Sequence, residues 1–241
     1  MGGRGGASHI AAGGGNANTD AGPFKSADRI AKRMGITLNI ADLKLGQIQP
    51  KYVVETLNAV KAVYKAFPAM KGRVKYIDAN VSNPDAYASA GGDGGLHMGL
   101  YGRWSQERLD LQWAHDIAVK WHPAGTTAAS IFVHEMGHQI ESYLNARDYR
   151  DEWAWGKSAD KIVFEAVKKL DSTIEKLRSP EAYAYAKSIS DYAAYKYNEA
   201  TGHWATWETL AEATADYYCN GEKANPLSQE IWKILQREMK K

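Results

Sequence analysis

An α+β domain is what this sequence predicts, and three observations predict it. Strand-like and helical segments mix in the first half, helical periodicity dominates the second, and one strongly helical stretch, residues 128–141, stands at the junction. The chain has 241 residues, 44% of them hydrophobic, which is enough for a proper core. Residues 24–241 therefore read as a single domain. Residues 1–23 read as a flexible tail, because a Gly-, Ala- and Asn-rich segment has too little apolar surface to offset the entropy of ordering.

Residues 26–34 predict a short helix ended near Gly35, and residues 36–40 a brief strand. After Pro50, the residues Val53, Leu57, Val60, Tyr64 and Phe67 recur at alternating four- and three-residue spacing, which predicts a helix that stops at Pro68. Residues 73–78 alternate like a strand, and Asn83-Pro84-Asp85 reads as a turn. The glycine-rich run 91–95 lacks both the lysine and the strand–loop–helix setting of a phosphate site, so it reads as a plain loop. Residues 96–104 and 109–114 look like two strands, a hairpin around residues 105–108. His97 and His115 lie in or beside them and read as satisfied or exposed histidines rather than ligands, and His9 in the tail as incidental. Trp121-His122-Pro123 breaks the chain. Thr126 or Thr127 can cap the helix that follows, which runs to about Ala146.

In the second half, Val163, Val167, Leu170, Ile174 and Leu177 again repeat at helical spacing. Ser179-Pro180-Glu181 combines a cap, a first-position proline and an acid in the first turn, which together start a helix. A polar, aromatic segment over 190–204 leads into a helix over 206–219, stopped by Asn220-Gly221. Asn225-Pro226 starts the last helix, with Leu227, Ile231, Leu235 and Met239 on one side.

A net charge of +2 is too weak to argue for nucleic acid or an acidic membrane surface as partner. The single cysteine, Cys219, forbids an intrachain disulfide and reads as packing near a helix end. No run of about 18 apolar residues is present to span a membrane. The skew to 14 Tyr and 8 Trp against 4 Phe suits half-buried positions and clefts.

The chemistry is concentrated in His134-Glu135-Met136-Gly137-His138. On a helix, positions i and i+4 share a face, so the two imidazoles can grip one metal ion, and Glu135 can reach a metal-bound water as general base. Val133, Met136, Ile140 and Leu144 form an apolar stripe that docks this helix in a core. Gly137 costs about 1 kcal/mol relative to Ala at mid-helix, so something approaches the backbone closely there, through tight packing or for function. A catalytic zinc takes three protein ligands. A third ligand further along the same helix is excluded, since Glu141 and Leu144 occupy the positions where Gly and His would be needed. The helix over 206–219 offers Glu208, Glu212 and Asp216 on one face. Two registers fit: Glu208 as ligand with Glu212 behind it, or Glu212 as ligand with Asp216 behind it. The plain alternative is a solvated acidic face, with Glu208 favoured at the helix N-terminus by the macrodipole.

These residues carry a resemblance to a known family. VHEMGHQIE, then Ser190-Asp191-Tyr192-Ala193, then Glu208-Thr-Leu-Ala-Glu212-Ala resemble the H-E-x-G-H, S-x-Y and E-x-x-A-E-A motifs of catalytic domains of the anthrax lethal factor type. That gluzincin-like group includes domains encoded by phages and mobile elements, and the GGRGG opening is similar to proteins of phage origin. The resemblance spans roughly residues 73–219. It implies a zincin-like metallopeptidase domain holding one Zn2+, with His134, His138 and Glu208 as ligands. It further implies Glu135 as the base, Glu212 as the hydrogen-bond partner of a ligand histidine, and Tyr192 as the group assisting the substrate oxyanion. Sixteen positions separate Tyr192 from Glu208, more than the family's usual gap, so Tyr195 or Tyr197 could take that role instead.

The expected function is hydrolysis of a peptide bond in a peptide or protein substrate by a zinc-bound water that Glu135 activates. A strand in the 96–104 region could pair with the extended substrate. Two other readings stay open: a non-catalytic, virion-associated interaction protein that keeps the fold, and zinc hydrolysis of a non-peptide bond. The N-terminus lacks the apolar core of a signal peptide, which points to a cytoplasmic or phage-associated protein, or to non-classical export.

Overall fold

The computed structural model describes residues 22–80, 83 and 85–241. The expected tail, residues 1–23, thus lies outside the described residues except for Gly22 and Pro23, as do His9 and Pro84 of the expected turn. The first helix, α1 (Lys25–Met34), is ended by Gly35 at φ 72°, the left-handed region that glycine enters without penalty. Strand β1 (Thr37–Leu38) and helix α2 (Ile40–Leu45) follow, and then α3 (Pro50–Ala66) buries Val53, Leu57, Val60 and Tyr64 as their spacing predicts. Three further strands complete a four-stranded sheet: β2 (Tyr76–Ala79), β3 (Ala88–Ala90) and β4 (Gly95–Met98). Their order is β1-β2-β4-β3, with β1, β2 and β4 parallel and β3 antiparallel to β4. The expected α+β class is therefore observed.

The expected hairpin over 96–114 is not. After β4 the chain turns through α4 (Leu100–Arg103), and Ser105 starts α5 (Gln106–Ala118) with its Oγ accepting from Arg108 N at 3.3 Å. Leu109, Leu111 and Trp113 alternate in sequence, yet Leu111 is 68% exposed while Leu109 and Trp113 are buried. The buried pair is four residues apart, a helical spacing, and the serine cap with Glu107 in the first turn decides the matter. The proposed substrate-pairing strand also needs correction. Both sides of β4 are occupied, by β2 and by β3, so the outer strand there is β3, whose Ala-Ser-Ala sequence carries little strand signal.

Helix α6 (Ile131–Tyr149) carries the histidine motif and ends at Arg150, in the left-handed conformation at φ 57°, slightly beyond the expected Ala146. Neither threonine caps it. A short 3-10 turn, Ala128–Ser130, leads into it, while Thr126 Oγ donates to Pro123 O at 2.7 Å and accepts from Trp113 Nε1 at 3.2 Å. Next comes α7 (Lys157–Leu170), which stops before Ile174 and Leu177. Asp171 interrupts it, because its carboxylate draws in Thr173 N at 2.9 Å, a local turn that competes with helix continuation. Helix α8 (Pro180–Ile189) is capped by Ser179, whose Oγ accepts from Ala182 N. Helices α9 (Thr206–Asn220) and α10 (Pro226–Glu238) complete the chain, the latter capped by Asn225. Among the described residues, no helix is long and apolar enough to cross a membrane.

One contact positions the site. Helices α6 and α9 pack face to face at Gly137, where an added Cβ would lie 2.6 Å from Ala211 Cα. The mid-helix glycine is explained by packing: the two backbones come too close for any side chain.

Candidate metal centre

With α6 and α9 pressed together, the polar faces of both helices meet at one point. His134 and His138 sit one turn apart on α6, and Glu208 lies in the first turn of α9. Glu208 Oε2 is 3.3 Å from His134 Nε2 and 3.3 Å from His138 Nε2. The three candidate ligand atoms all lie within 4.8 Å of one another. His134 and Glu208 are buried, and the His138 side chain keeps 12% of its surface exposed.

The donor chemistry fits a cation. His134 Nδ1 faces Glu212 Oε1 at 2.8 Å and, as an N–H donor there, leaves Nε2 as a bare lone pair. The other Glu208 oxygen, Oε1, accepts from Trp207 Nε1 at 2.9 Å, while Oε2 has no hydrogen bond among the described residues. The electrostatics agree. Burial opposes a charge on His134, but Glu208 and Glu212 outweigh it and hold the imidazole well above its ordinary pKa. Burial would likewise raise Glu208, but His138 and His134 hold its carboxyl well below the usual range. Both directions mean that the cluster stabilises positive charge at its centre.

Glu135 is buried beside it. Burial pushes its carboxyl above the ordinary value, against the pull of His134 and His138, which makes it a stronger proton acceptor than a free carboxylate.

Glu212 is the most heavily restrained carboxylate in the site. Besides His134 it meets His122 Nδ1 at 3.2 Å, and its Oε2 accepts from Ser190 Oγ at 2.9 Å. Burial opposes its charge, but His122 and His134 keep it ionised, well below the ordinary range. Asp216 plays no part here, accepting instead from Asn220 Nδ2 at 2.7 Å and from Asn225 N at 2.9 Å, where it ties α9 to the start of α10. Of the two registers that spacing allows, the geometry brings Glu208 to both imidazoles and sets Glu212 behind His134.

Tyr192 is buried with its ring against His134, centroids 5.6 Å apart. Burial, then the charges of Glu208, Glu135 and Glu212, push its hydroxyl pKa well up, so it remains a donor. Tyr195 packs on Tyr192 and Trp121, and Tyr197 stacks on Tyr183 at 3.9 Å. Only Tyr192 of the three has a ring contact with a metal-site histidine among the described residues.

His97 bonds Asp78 through Nδ1 at 2.6 Å, and His115 is exposed on α5, so both sit as the sequence suggests. The 91–95 run is the β3–β4 turn, and Cys219 is exposed. His122 is the residue that sequence reasoning missed. It was legible only as part of a chain break, yet its ring stacks on Trp113 at 4.2 Å and braces Glu212. Trp207 was missed too, although its place next to Glu208 was a usable signal. No protein-family model, curated protein or solved structure matches the chain.

Proposed function

We propose that this chain is a zinc-dependent endopeptidase with a zincin-like catalytic domain, of the lethal factor type that its motifs resemble. The observation that carries this reading is the convergence of His134 Nε2, His138 Nε2 and Glu208 Oε2, with Glu135 buried alongside. Two imidazoles and one carboxylate form a ligand set suited to catalytic zinc. Zinc held there would supply a Lewis acid that polarises a peptide carbonyl and acidifies a water near neutral pH.

The protein's own groups do the rest. Glu212 fixes the tautomer and aim of His134, so that Nε2 points at the metal. Glu135, its pKa raised by burial, takes the proton of the attacking water and passes it to the leaving nitrogen. Tyr192, kept protonated by burial and by three nearby carboxylates, donates a hydrogen bond to the oxygen on which negative charge develops.

The test is metal content and turnover of a diverse peptide pool by wild type, Glu208→Gln and Glu135→Gln. Wild type should hold one zinc per chain and cleave. Glu208→Gln should lose the metal, whereas Glu135→Gln should keep it and lose roughly a thousandfold in turnover. A folded wild type that binds no zinc, or a Glu135→Gln variant that still cleaves at full rate, would sink the proposal.

A further inference from the structure

Two candidate metal ligands share their neighbours with a concavity. Trp207, bonded to Glu208 Oε1 at 2.9 Å, and Trp155, whose ring meets the His138 ring edge-on at 6.0 Å, both line a cavity of about 310 Å³. Trp204 adds a third indole. Lys196, His203 and Ala205 line the cavity too, from a stretch in which Asn198 N donates to His203 O at 2.7 Å and closes a tight hairpin. Lys196 at its entrance holds φ 58°, a left-handed conformation that non-glycine residues seldom adopt.

The charges on this lining do not cancel. Arg178 is taken up by Asp160, with Nη2 at 2.6 and 2.7 Å from the two carboxylate oxygens. Lys157 and Lys196 pair with no carboxylate among the described residues and lie instead against the Tyr149 and Tyr195 rings, at 5.4 and 5.5 Å. The result is an indole-walled pocket whose lining includes two lysines that no carboxylate pairs among the described residues, and whose Trp155 and Trp207 touch His138 and Glu208.

We infer that this cavity is a substrate side-chain subsite and that it takes an acidic residue, Asp or Glu, of the peptide being cleaved. This rests on the peptidase reading of the metal centre. The volume lies at the small end of ligand pockets and suits one side chain. Indole faces cover the methylene stem, and the lysines meet the carboxylate. A basic side chain meets repulsion, and a neutral one gains no charge pairing. Because both lysines are exposed, solvent screens the attraction, and the preference for Glu over Gln is roughly tenfold in kcat/KM and shrinks with added salt.

The experiment digests a mixed-sequence peptide pool with the zinc-loaded full chain and maps the cut sites. In parallel, zinc-loaded Glu135→Gln is bound to a peptide array, which needs no turnover. The expected result is one position close to the cut enriched in Asp and Glu, matched by acid-selective array binding. The double charge reversal Lys157→Glu/Lys196→Glu should abolish both preferences and favour Lys or Arg at the same position. Cleavage or binding indifferent to acidic residues overturns the inference, as does an acidic preference that survives the double reversal. A zinc-loaded chain that neither cleaves nor binds any peptide overturns the peptidase reading, and this inference with it.

Discussion

The two histidines of the metal centre are built differently. His134 is braced from behind: Nδ1 meets Glu212, which is itself held by Ser190 and His122, and His122 is clamped on Trp113. His138 has no such support. Its Nδ1 is buried with no hydrogen-bond partner among the described residues, and its neighbour is Trp155 at the wall of the aromatic cavity. One turn further along α6, Glu141 Oε2 is likewise buried with no hydrogen-bond partner among the described residues. One candidate ligand is thus already oriented by its neighbours, while the other takes its direction from α6 alone. The braced side would fix a bound ion, and the unbraced side adjoins the aromatic cavity.

The change that should erase this contrast most completely is Gly137→Ala, because it acts on the helix pair that both sides share. The new Cβ would fall 2.6 Å from the Ala211 backbone, so α6 and α9 must separate and carry Glu208 away from the two histidines. A loss of about 3 kcal/mol in a urea titration, with a large fall in zinc affinity, is expected. A gain of about 1 kcal/mol, the outcome that helix propensity alone would give, would mean that the helices are not in contact there.

On the unbraced side the expected signature is a pH dependence. Burial pushes the Glu141 carboxyl up from 4.5 to about 7, although Gly156 N donates to its Oε1. Between those values the folded chain keeps a proton that the unfolded chain has released. Stability from this group is therefore fully present below pH 4.5 and is lost as pH rises through 7. The loss is on the order of 3 kcal/mol. Glu141→Gln should flatten it: relative to wild type, the variant should gain stability at pH 8 compared with pH 5. Parallel pH profiles for the two proteins would show that Glu141 is not buried as a lone carboxylic acid.

What the sequence revealed and concealed follows the range of each interaction. His134 with His138, and Glu208 with Glu212, are spaced four apart within single helices, so helical geometry alone places each pair on a face. The contact of His122 with Glu212 joins residues 90 positions apart, and no periodicity links a loop to a helix over that distance. Gly137 announced a close approach but not its partner, Ala211, which only the α6–α9 packing supplies. The misreading of α5 has a local cause, since Leu109, Leu111 and Trp113 fit a two-residue period and Leu109 with Trp113 a four-residue one, and the Ser105 cap that decides for helix lies in the stretch read as a turn.

The smallest predicted effects probe the brace itself. Glu212→Gln should weaken zinc binding ten- to a hundredfold, the range typical of groups that orient a ligand histidine. His122 acts one step further out, so roughly tenfold is expected, and two substitutions separate its two contacts. His122→Asn keeps an N–H donor towards Glu212 but gives up the stack on Trp113, whereas His122→Phe keeps the stack and loses the donor. If the hydrogen bond orders Glu212, zinc affinity measured against a competing chelator falls in the Phe variant and stays within about threefold of wild type in the Asn variant. Thermal stability should rank them the other way, because only Phe preserves the aromatic contact. Should the Phe variant bind zinc normally and the Asn variant fail, packing rather than hydrogen bonding aims Glu212. His134 would still be held by Glu212, but the brace behind it would be the stack of His122 on Trp113 rather than a hydrogen bond.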